Sequence, residues 1–219
     1  MYIPPPNLAP SEEAVTALLT QTRAGDLVTA GDDGLTVSMI PFLYDRTVGT
    51  NGALLGHLAR PNAQWRGADG REALVLVHGP DGYVSPTWYA TKREHGRVVP
   101  TWNYILVAVH GTLRVHDDSA WVRGLVERLT EAHEAGRAEP WSVSDAPEPY
   151  LAGQLRAIVG VEVEIDRLEA KWKLSQNRSE ADVAGVIEGL RAGSADDLAL
   201  ADAMAETATH RSREPRSSG

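Results

Sequence analysis

Residues 159–166 alternate between apolar and polar side chains, and this pattern makes them the clearest strand in the sequence. Successive side chains of a strand point to opposite sides, so the apolar positions share one face; they are Val159, Val161, Val163 and Ile165. Residues 102–115 alternate in the same way, with one face formed by Ile105, Val107, Val109, Leu113 and Val115. Two long, half-buried strands constrain the chain to a fold built on a sheet.

Shorter strands are predicted nearer the N-terminus. Residues 26–30 and 35–43 flank the turn Gly31-Asp32-Asp33-Gly34, a pattern typical of a β-hairpin. Residues 73–77 are apolar at every position, which predicts a strand buried on both faces.

Helices are predicted after three serines that can serve as N-caps, namely Ser11, Ser119 and Ser179. A short helix is expected at residues 57–60, and residues 136–149 are expected to form a loop. No internal repeat or regular βαβ rhythm is present, so the pattern favours a mainly β, α+β protein. We expect an antiparallel barrel with N-terminal and C-terminal helices. One domain is predicted for residues 1–206, followed by a disordered tail at 207–219 that is rich in Ser, Arg, Pro and Gly.

Composition excludes several classes of protein. The chain has 219 residues and no cysteine, which rules out disulfides, Cys-ligated zinc and thiol catalysis. It has no run of about 18 apolar residues, and its Pro-rich start lacks the features of a secretory signal, so a cytoplasmic protein is expected. A formal net charge of −9 makes direct DNA binding doubtful, because such binding depends on cations placed against phosphates.

Residues 171–178 combine cations, neutral hydrogen-bonding groups and an aromatic side chain. They are Lys171, Trp172, Lys173, Leu174, Ser175, Gln176, Asn177 and Arg178. This mixture suits an anionic, planar ligand, because the polar groups can hold its charged end while the aromatic covers its flat part. The alternative is a solvated charged loop whose Trp fills a core.

Two other segments are candidate parts of a site. Residues 83–92 and 99–104 concentrate Trp, Tyr, hydroxyl groups and a Lys, which could line a pocket or simply fill a hairpin core. Residues 56–62 contain Arg60 beside the expected short helix, and a helix start with an adjacent Arg is a possible phosphate seat. Neither a P-loop nor a Rossmann fingerprint is present.

Metal and hydrolase chemistry are poorly supported. His110 and His116 share a strand face but are separated by roughly 20 Å of extended chain, which is too far to ligate one ion. The sequence contains no zinc-protease or nucleophile-elbow motif, so Ser85 is interpreted as a turn or ligand-contacting residue.

Several of these segments, in order along the chain, resemble the PaiB-type FMN-binding negative transcriptional regulators. The similar segments are residues 1–4, 56–60, 79–80, 83–89, 99–104 and 171–177. The resemblance implies an FMN-binding split barrel, a homodimer with flavin at the subunit interface, and a role in transcriptional repression. The sequence departs from the family pattern at Met39, Ala63 and Leu8, where relatives have His, Pro and Phe.

The resemblance also implies roles for individual residues. FMN needs a cationic phosphate seat, donors to its ring and aromatic cover. Phosphate contacts are assigned to Arg60, Lys92 or Lys171, ring contacts to Ser38, Ile40, Thr101 and Asn103, and stacking to Trp88 or Trp102. The remaining cofactor-binding candidates are His57, Lys173, Ser175 and Gln176. Which subunit of the dimer provides each contact stays open.

Three functions remain open at this point. The first is a dimeric flavin-binding regulator or redox sensor. The second is a flavin reductase or oxidase that uses FMN and NAD(P)H in the same pocket. The third is an interaction protein that has kept the fold without the cofactor.

Overall fold

The structure, a computed structural model, describes residues 1–21, 24–32 and 34–213. Its strands are β1 Gly25–Gly31, β2 Gly34–Ile40, β3 Leu43–Asp45, β4 Ala53–Ala59, β5 Glu72–Val84, β6 Thr101–His116 and β7 Ile158–Lys173. Its helices are α1 Glu12–Gln21, α2 Thr91–His95, α3 Ser119–Glu134, α4 Glu148–Arg156, α5 Glu180–Arg191 and α6 Ala195–Arg213. Short 3-10 turns occupy Pro5–Asn7, Ala63–Trp65, Pro86–Trp88 and Val143–Asp145.

The strands form a seven-stranded sheet in the order β2-β1-β5-β6-β7-β4-β3. The pairs β1–β2, β1–β5, β3–β4 and β4–β7 are antiparallel. The predicted hairpin is confirmed, with Gly31 paired to Gly34 and Gly25 paired to Ile40. The prediction of a mainly β, antiparallel α+β fold is also confirmed.

The chain divides into two compact units, each discontinuous in sequence. The first unit contains Met1–Leu18, His78–Val107 and the described residues from Ala170 onward. The second unit contains Leu19–Val77 and Ala108–Glu169.

The core of the second unit is formed by the inward faces of its strands and by two helices. Fully buried strand residues include Leu27, Val75, Val77, Val109, Leu113, Val159, Val161 and Val163. Leu125 and Leu129 of α3 pack against Ala53 and Leu55 of β4. Burying each side chain of this kind stabilises the fold by roughly 1.5–3 kcal/mol. Most of these buried residues are the apolar positions of the alternating strands.

Gln64 fastens the β1–β2 hairpin. Its side-chain amide donates to the carbonyl oxygens of Leu27 at 2.9 Å and Thr36 at 3.2 Å. Asn62 caps the 3-10 turn that carries Gln64, accepting a hydrogen bond from its backbone N–H at 2.9 Å. The polar residues of the Asn62-Ala63-Gln64-Trp65 segment therefore position the edge of the sheet.

The first unit contains a helical layer formed by α5 and α6. Its buried side chains include Val186, Leu190, Leu200 and Met204. The indole of Trp88 lies against Gly189 so closely that a Cβ at that position would stand 2.5 Å from the ring. α2 is fastened to α5 because Asp182 accepts hydrogen bonds from both the backbone N–H and the hydroxyl of Thr91, at 2.9 and 3.0 Å.

One expectation about residues 53–77 is wrong. Residues 57–60 are not a helix: His57 and Leu58 belong to β4, where they pair with Gly160 and Val159. β4 is largely buried on both faces, so its sequence lacks the alternation that identifies a half-buried strand. Residues 73–77 form part of β5 as predicted; one face is buried in the single chain, and Leu74 and Leu76 on the other face are partly exposed.

Other expectations need smaller corrections. The second hairpin strand ends at Ile40, and Leu43 begins β3. Asp118, not Ser119, caps α3 by accepting from the backbone N–H of Trp121 at 2.8 Å. The expected loop at 136–149 contains the 3-10 turn Val143–Asp145 and the start of α4.

Two helices, α5 and α6, follow the last strand. The predicted helix start at Ser179 is confirmed, since its hydroxyl accepts a hydrogen bond from the backbone N–H of Asp182 at 3.2 Å. α6 continues to Arg213, past the expected start of a disordered tail at Thr207. Residues 214–219 of that tail lie outside the described residues.

Close packing of β6 on β7 predicts a position-specific cost for adding one methyl group. A Cβ at Gly111 would collide with the backbone carbonyl of Glu164, whereas one at Gly124 in α3 would meet nothing within 4 Å. We expect Gly111→Ala to destabilise the protein by about 1–3 kcal/mol. Gly124→Ala should instead stabilise it by up to about 1 kcal/mol, because alanine favours helix. Urea unfolding of both variants measures the difference, and equal effects would contradict this packing.

The Thr91–Asp182 contact predicts a dependence of stability on pH. Burial acts to raise the pKa of Asp182. Hydrogen bonds from Thr91 and Ser179, together with the positive charge of Arg178, outweigh burial, and the net pKa is lowered. A lowered pKa in the folded state adds stability that is complete above the unfolded value of about 3.9 and is lost as pH falls through the folded value. We therefore expect Asp182→Asn to be less stable than wild type at pH 7, with the gap closing below about pH 4. Unfolding curves between pH 7 and about pH 2 test this, and a gap that does not narrow below about pH 4 would contradict it.

Candidate functional site

The basic run at 171–178 lies where β7 ends. Lys171, Trp172 and Lys173 are the last three residues of the strand, and the following residues turn toward α5. Trp172 is only 5% exposed. The Trp is therefore a core residue, as the alternative interpretation of this run expected, while the polar residues form a shaped turn.

Gln176 holds that turn in place. Its side-chain oxygen accepts from the backbone N–H of Leu174 at 2.7 Å, and its amide donates to the carbonyl of Trp172 at 2.5 Å. Ser175 sits at the turn with a φ of 65°, the left-handed region that non-glycine residues rarely adopt. Backbone strain of this kind persists only where the surroundings fix it.

Asn103 of β6 fixes the Ser175 side chain. Asn103 is fully buried, and its amide nitrogen donates to the Ser175 hydroxyl at 3.0 Å and contacts Met204 Sδ at 3.5 Å. The Ser175 hydroxyl also lies 3.2 Å from Asn103 Oδ1. This buried pair joins β6 to the turn after β7 and sets the direction of the hydroxyl.

Lys173 lies beside the start of β6. Its Nζ donates to Thr101 Oγ1 at 2.8 Å and to the carbonyl oxygen of Trp102 at 2.5 Å, and it lies 5.7 Å from the centre of the Tyr104 ring. Burial lowers the pKa of Lys173; the nearby Tyr104 opposes this shift and the positive charge of Lys171 adds to it. Two of the three ammonium donors are used by these bonds, which leaves one for a ligand.

These residues surround a cavity that we call the basic pocket. Its volume is about 240 Å³, and its lining consists of Pro4, Pro6, Asn7, Val99, Pro100, Thr101, Asn103, Lys173, Ser175, Asn177 and Arg178. Among these lining residues the only charged side chains are Lys173 and Arg178, both cationic. Arg178 also lies 4.8 Å from the centre of the Tyr89 ring, a stacking distance for a guanidinium.

Lys171 does not line the basic pocket. It is 9% exposed, and its Nζ lies 5.2 Å from the centre of the Tyr104 ring and 5.8 Å from that of Tyr2. Its backbone forms an isolated bridge with Leu8. Lys171 thus fastens the N-terminal segment to β7 through aromatic contacts.

The remaining predicted residues of the first unit are dispersed. Trp88 packs on α5, and Lys92 is an exposed residue of α2. Trp102 is 51% exposed, and its indole N–H donates to Asp81 at 2.8 Å. An exposed, oriented indole remains available to cover a ligand ring.

In the second unit, the predicted ring contacts lie on the edge strand β2. The hydroxyl of Ser38 accepts from the side-chain amide of Asn62 at 2.9 Å, and Ile40 is buried. The opposite face of the strand exposes Leu35, Val37 and Met39, which are 81%, 62% and 75% exposed. β2 therefore presents a polar pair and an apolar strip along the edge of the sheet.

Arg60 is already engaged by protein groups. Its guanidinium binds the Asp117 carboxylate at 2.5 and 3.1 Å and donates to the carbonyls of Arg156 and Ile158. The hydrogen bond with Asp117 raises the pKa of Arg60 and lowers that of Asp117. Since residues 57–59 are strand and Arg60 begins a turn, the expected helix-start phosphate seat is not formed there.

His57 lines a different cavity of the second unit. This cavity, of about 300 Å³, also includes Val126, Leu129, His133 and Trp141. Burial lowers the pKa of His57, so the imidazole is neutral at pH 7. The predicted residues are thus brought together as two groups, one at the basic pocket and one on β2.

Sequence reasoning missed three residues of these sites. Asn177 and Arg178 line the basic pocket, and both were visible in the basic run. The side-chain amide of Asn62 donates to Ser38. The sequence indicated Asn62 only as the first residue of the Asn-Ala-Gln-Trp segment. A pairing between residues 24 apart cannot be inferred from spacing alone.

Within residues 1–21, 24–32 and 34–213, no group of three or more His, Cys, Asp or Glu side chains is arranged to hold a metal ion. No helix in that part of the chain is both long enough and apolar enough to cross a membrane.

Two curated proteins are similar in sequence. The chain is 35% identical over 184 residues to the uncharacterized protein AN0679 of Emericella nidulans, covering 69% of this chain and 73% of that protein. It is 31% identical over 195 residues to the protease synthase and sporulation protein PAI 2 of Bacillus subtilis, covering 87% of this chain and 89% of that protein.

Solved structures share the fold. The FAD and heme binding protein from Mycobacterium smegmatis superposes with a TM-score of 0.55 at 20% identity, covering 80% of this chain and 78% of that one. The flavocytochrome Anf3 from Azotobacter vinelandii superposes with a TM-score of 0.53 at 15% identity, covering 80% of this chain and 74% of that one. The predicted split-barrel fold is confirmed.

A family match identifies the cofactor class. Residues 1–167 match the family described as "Putative FMN-binding domain". This range includes β2, β4, all of β6 and the first part of β7, but it ends before the basic run. The chain belongs to this FMN-binding family, with the PaiB-type protein of Bacillus subtilis among its relatives, and FMN is its cofactor.

Proposed function

We propose that the protein is a homodimeric flavin-dependent regulator or redox sensor that binds FMN beside β2. The observation that carries the proposal is the edge strand itself, which combines a polar pair with an exposed apolar face inside the FMN-binding match. The polar pair can bind the polar edge of the flavin ring, and the apolar strip on the opposite face of the strand can bind a second subunit.

The polar edge of the flavin is assigned to Ser38 and Asn62. Their side chains are already joined at 2.9 Å, so each is oriented before a ligand arrives. The hydroxyl of Ser38 can donate to a ring carbonyl or N5, and Asn62 keeps a second amide hydrogen for the same purpose. Ile40 supports this site from the buried side of the strand.

The apolar face of β2 supports a second copy of the chain as the partner. Leu35, Val37 and Met39 point to one side because they alternate along the strand, and they are largely exposed. β2 stands at the end of the sheet order, so one of its edges pairs with no described strand. An exposed apolar edge strand invites pairing or aggregation unless another surface covers it. Symmetry allows the same strip on two copies to cover both at once.

The phosphate of FMN needs a cation that protein carboxylates do not already neutralise. Arg60 is bound to Asp117, so its guanidinium would have to exchange that partner for a phosphate. Lys92, Thr101 and Trp102 belong to the first unit and are not assigned to the flavin beside β2. Trp88, Lys171 and Gln176 have the packing and positioning roles described above.

The regulatory role rests on the relative from Bacillus subtilis, whose name refers to protease synthesis and sporulation. A net charge of −9 makes direct operator binding a poor mechanism, so we propose that regulation passes through the flavin state or a protein partner. An oxidoreductase remains the second candidate, because the same flavin could be reduced by NAD(P)H.

Flavin binding beside β2 predicts selective losses of affinity. We expect the purified protein to take up FMN with a visible absorbance change. Ser38→Ala and Asn62→Ala should each weaken FMN by about 3–10-fold, the cost of one lost hydrogen bond of about 0.5–1.5 kcal/mol. Fluorescence titration measures this, with the exposed Ser144→Ala as control. Tight FMN binding that neither substitution weakens would contradict the placement, and bleaching by NAD(P)H with recovery in air would favour the oxidoreductase.

The dimer proposal predicts that one buried charge separates the subunits. We expect wild type to elute at twice its chain mass of 23.6 kDa and Val37→Glu to elute as a monomer, because an uncompensated charge would be buried in an apolar interface. Light scattering after gel filtration measures the mass. Tyr150→Glu, at an exposed position of α4, is the matched control. A monomeric wild type, or a Val37→Glu dimer, would contradict the proposal.

A further inference from the structure

We propose that the basic pocket binds a small molecule that carries a carboxylate or phosphate group, separately from the flavin. Such a molecule would be a substrate or effector of the flavin-dependent regulator proposed above. The charge, the fixed side chains and the size of the pocket each support a ligand of this class.

The charge of the pocket selects an anion. Lys173 and Arg178 are the only charged side chains among its lining residues, and both are positive. Arg178 Cζ lies 4.8 Å from the centre of the Tyr89 ring, a cation–π contact that uses none of its N–H donors. The nearby Asp182 carboxylate is held by hydrogen bonds from Thr91, and the positive charge of Arg178 also helps to lower the pKa of Asp182. An ammonium and a guanidinium on one small cavity match the oxygens of a carboxylate or phosphate.

The pocket is built from fixed groups. Asn103 is fully buried and Ser175 is 6% exposed, and each holds the other through their side-chain hydrogen bond. Ser175 keeps a left-handed φ of 65° at a cost that a glycine would avoid. The strained serine therefore fixes Asn103 from a position where a glycine could not, because its hydroxyl hydrogen is donated to Asn103 Oδ1. The cavity wall beside the two cations is thus in place before an oxyanion binds.

Size separates this ligand from FMN. The pocket measures about 240 Å³, below the roughly 300–1,000 Å³ of pockets that hold drug-sized ligands. FMN, with its three-ring system, ribityl chain and phosphate, is at least drug-sized. The two cations of the pocket, Lys173 and Arg178, also lie beyond residue 167, where the match to the FMN-binding family ends, although most of the other lining residues lie within it. A compact mono- or dicarboxylate, or a small phosphate ester, fits the remaining space.

The test is calorimetric titration of the FMN-loaded protein with inorganic phosphate and with malonate, at constant ionic strength. We expect one of these probes to bind once per chain while FMN is present. Arg178→Met should weaken that probe by at least about tenfold, the effect of a lost charge-assisted hydrogen bond of about 1.5–3 kcal/mol. Arg93→Met, which removes an exposed cation of α2 in the same unit, should leave the affinity unchanged.

A second variant tests the support that the Asn103–Ser175 pair gives to the pocket. Ser175→Gly keeps the left-handed backbone at no steric cost, but it leaves the buried Asn103 without this partner, so the variant should melt at a lower temperature than wild type. The folded variant should also bind the probe several-fold more weakly, because the cavity wall is no longer fixed. FMN affinity should be unchanged in both pocket variants, and the ratio of FMN to riboflavin affinity should also be unchanged.

Two results would overturn the inference. The first is the absence of binding of either probe to the protein. The second is competition between FMN and the probe, with Arg178→Met weakening FMN but not riboflavin, because the pocket would then be the seat of the flavin phosphate. Probe binding to a protein that takes up no FMN would instead overturn the proposed function and leave the inference standing.

Discussion

The buried hydrogen bond between Asn103 and Ser175 is the contact on which the basic pocket depends. It joins the beginning of β6 to the turn after β7, and it holds a serine in a backbone conformation that serine disfavours. An unpaired Asn at a fully buried position would cost about 1–3 kcal/mol. This cost keeps Asn103 and Ser175 hydrogen-bonded to each other. With the pair bonded, Ser175, Lys173 and Arg178 line one cavity.

A second constraint acts on the edge of the sheet in the other unit. Gln64 binds carbonyls of both hairpin strands, and Asn62 binds Ser38, so β2 is held by side chains as well as by its ladder with β1. This rigidity matters for function, because a strand that binds a flat ligand and a second subunit must keep its register. The same strand exposes three large apolar residues. An exposed apolar patch favours aggregation unless a partner surface covers it, so its presence supports the proposed interface.

The sequence predicted the strands with clear alternation and failed where alternation was absent. β6 and β7 were visible because one face of each is buried, whereas the last residues of β4, from His57, were mistaken for a helix because both faces of β4 are largely buried. The basic run was visible as a dense polar cluster, and its partner Asn103 was among the predicted residues. The engagement of Arg60 by Asp117 was not, since residues 57 apart meet only through the fold. Whether a cation is neutralised by a carboxylate depends on such distant contacts, and composition cannot reveal it.

Two ligand sites with different chemistry are the central claim: a flavin beside β2, and a small oxyanion in the basic pocket. The most direct measurement is a crystal structure of the protein grown with FMN and malonate. We expect flavin density next to Ser38 and Asn62, and malonate density between Lys173 and Arg178. Density for the phosphate of FMN between Lys173 and Arg178, with no malonate there, would contradict the claim.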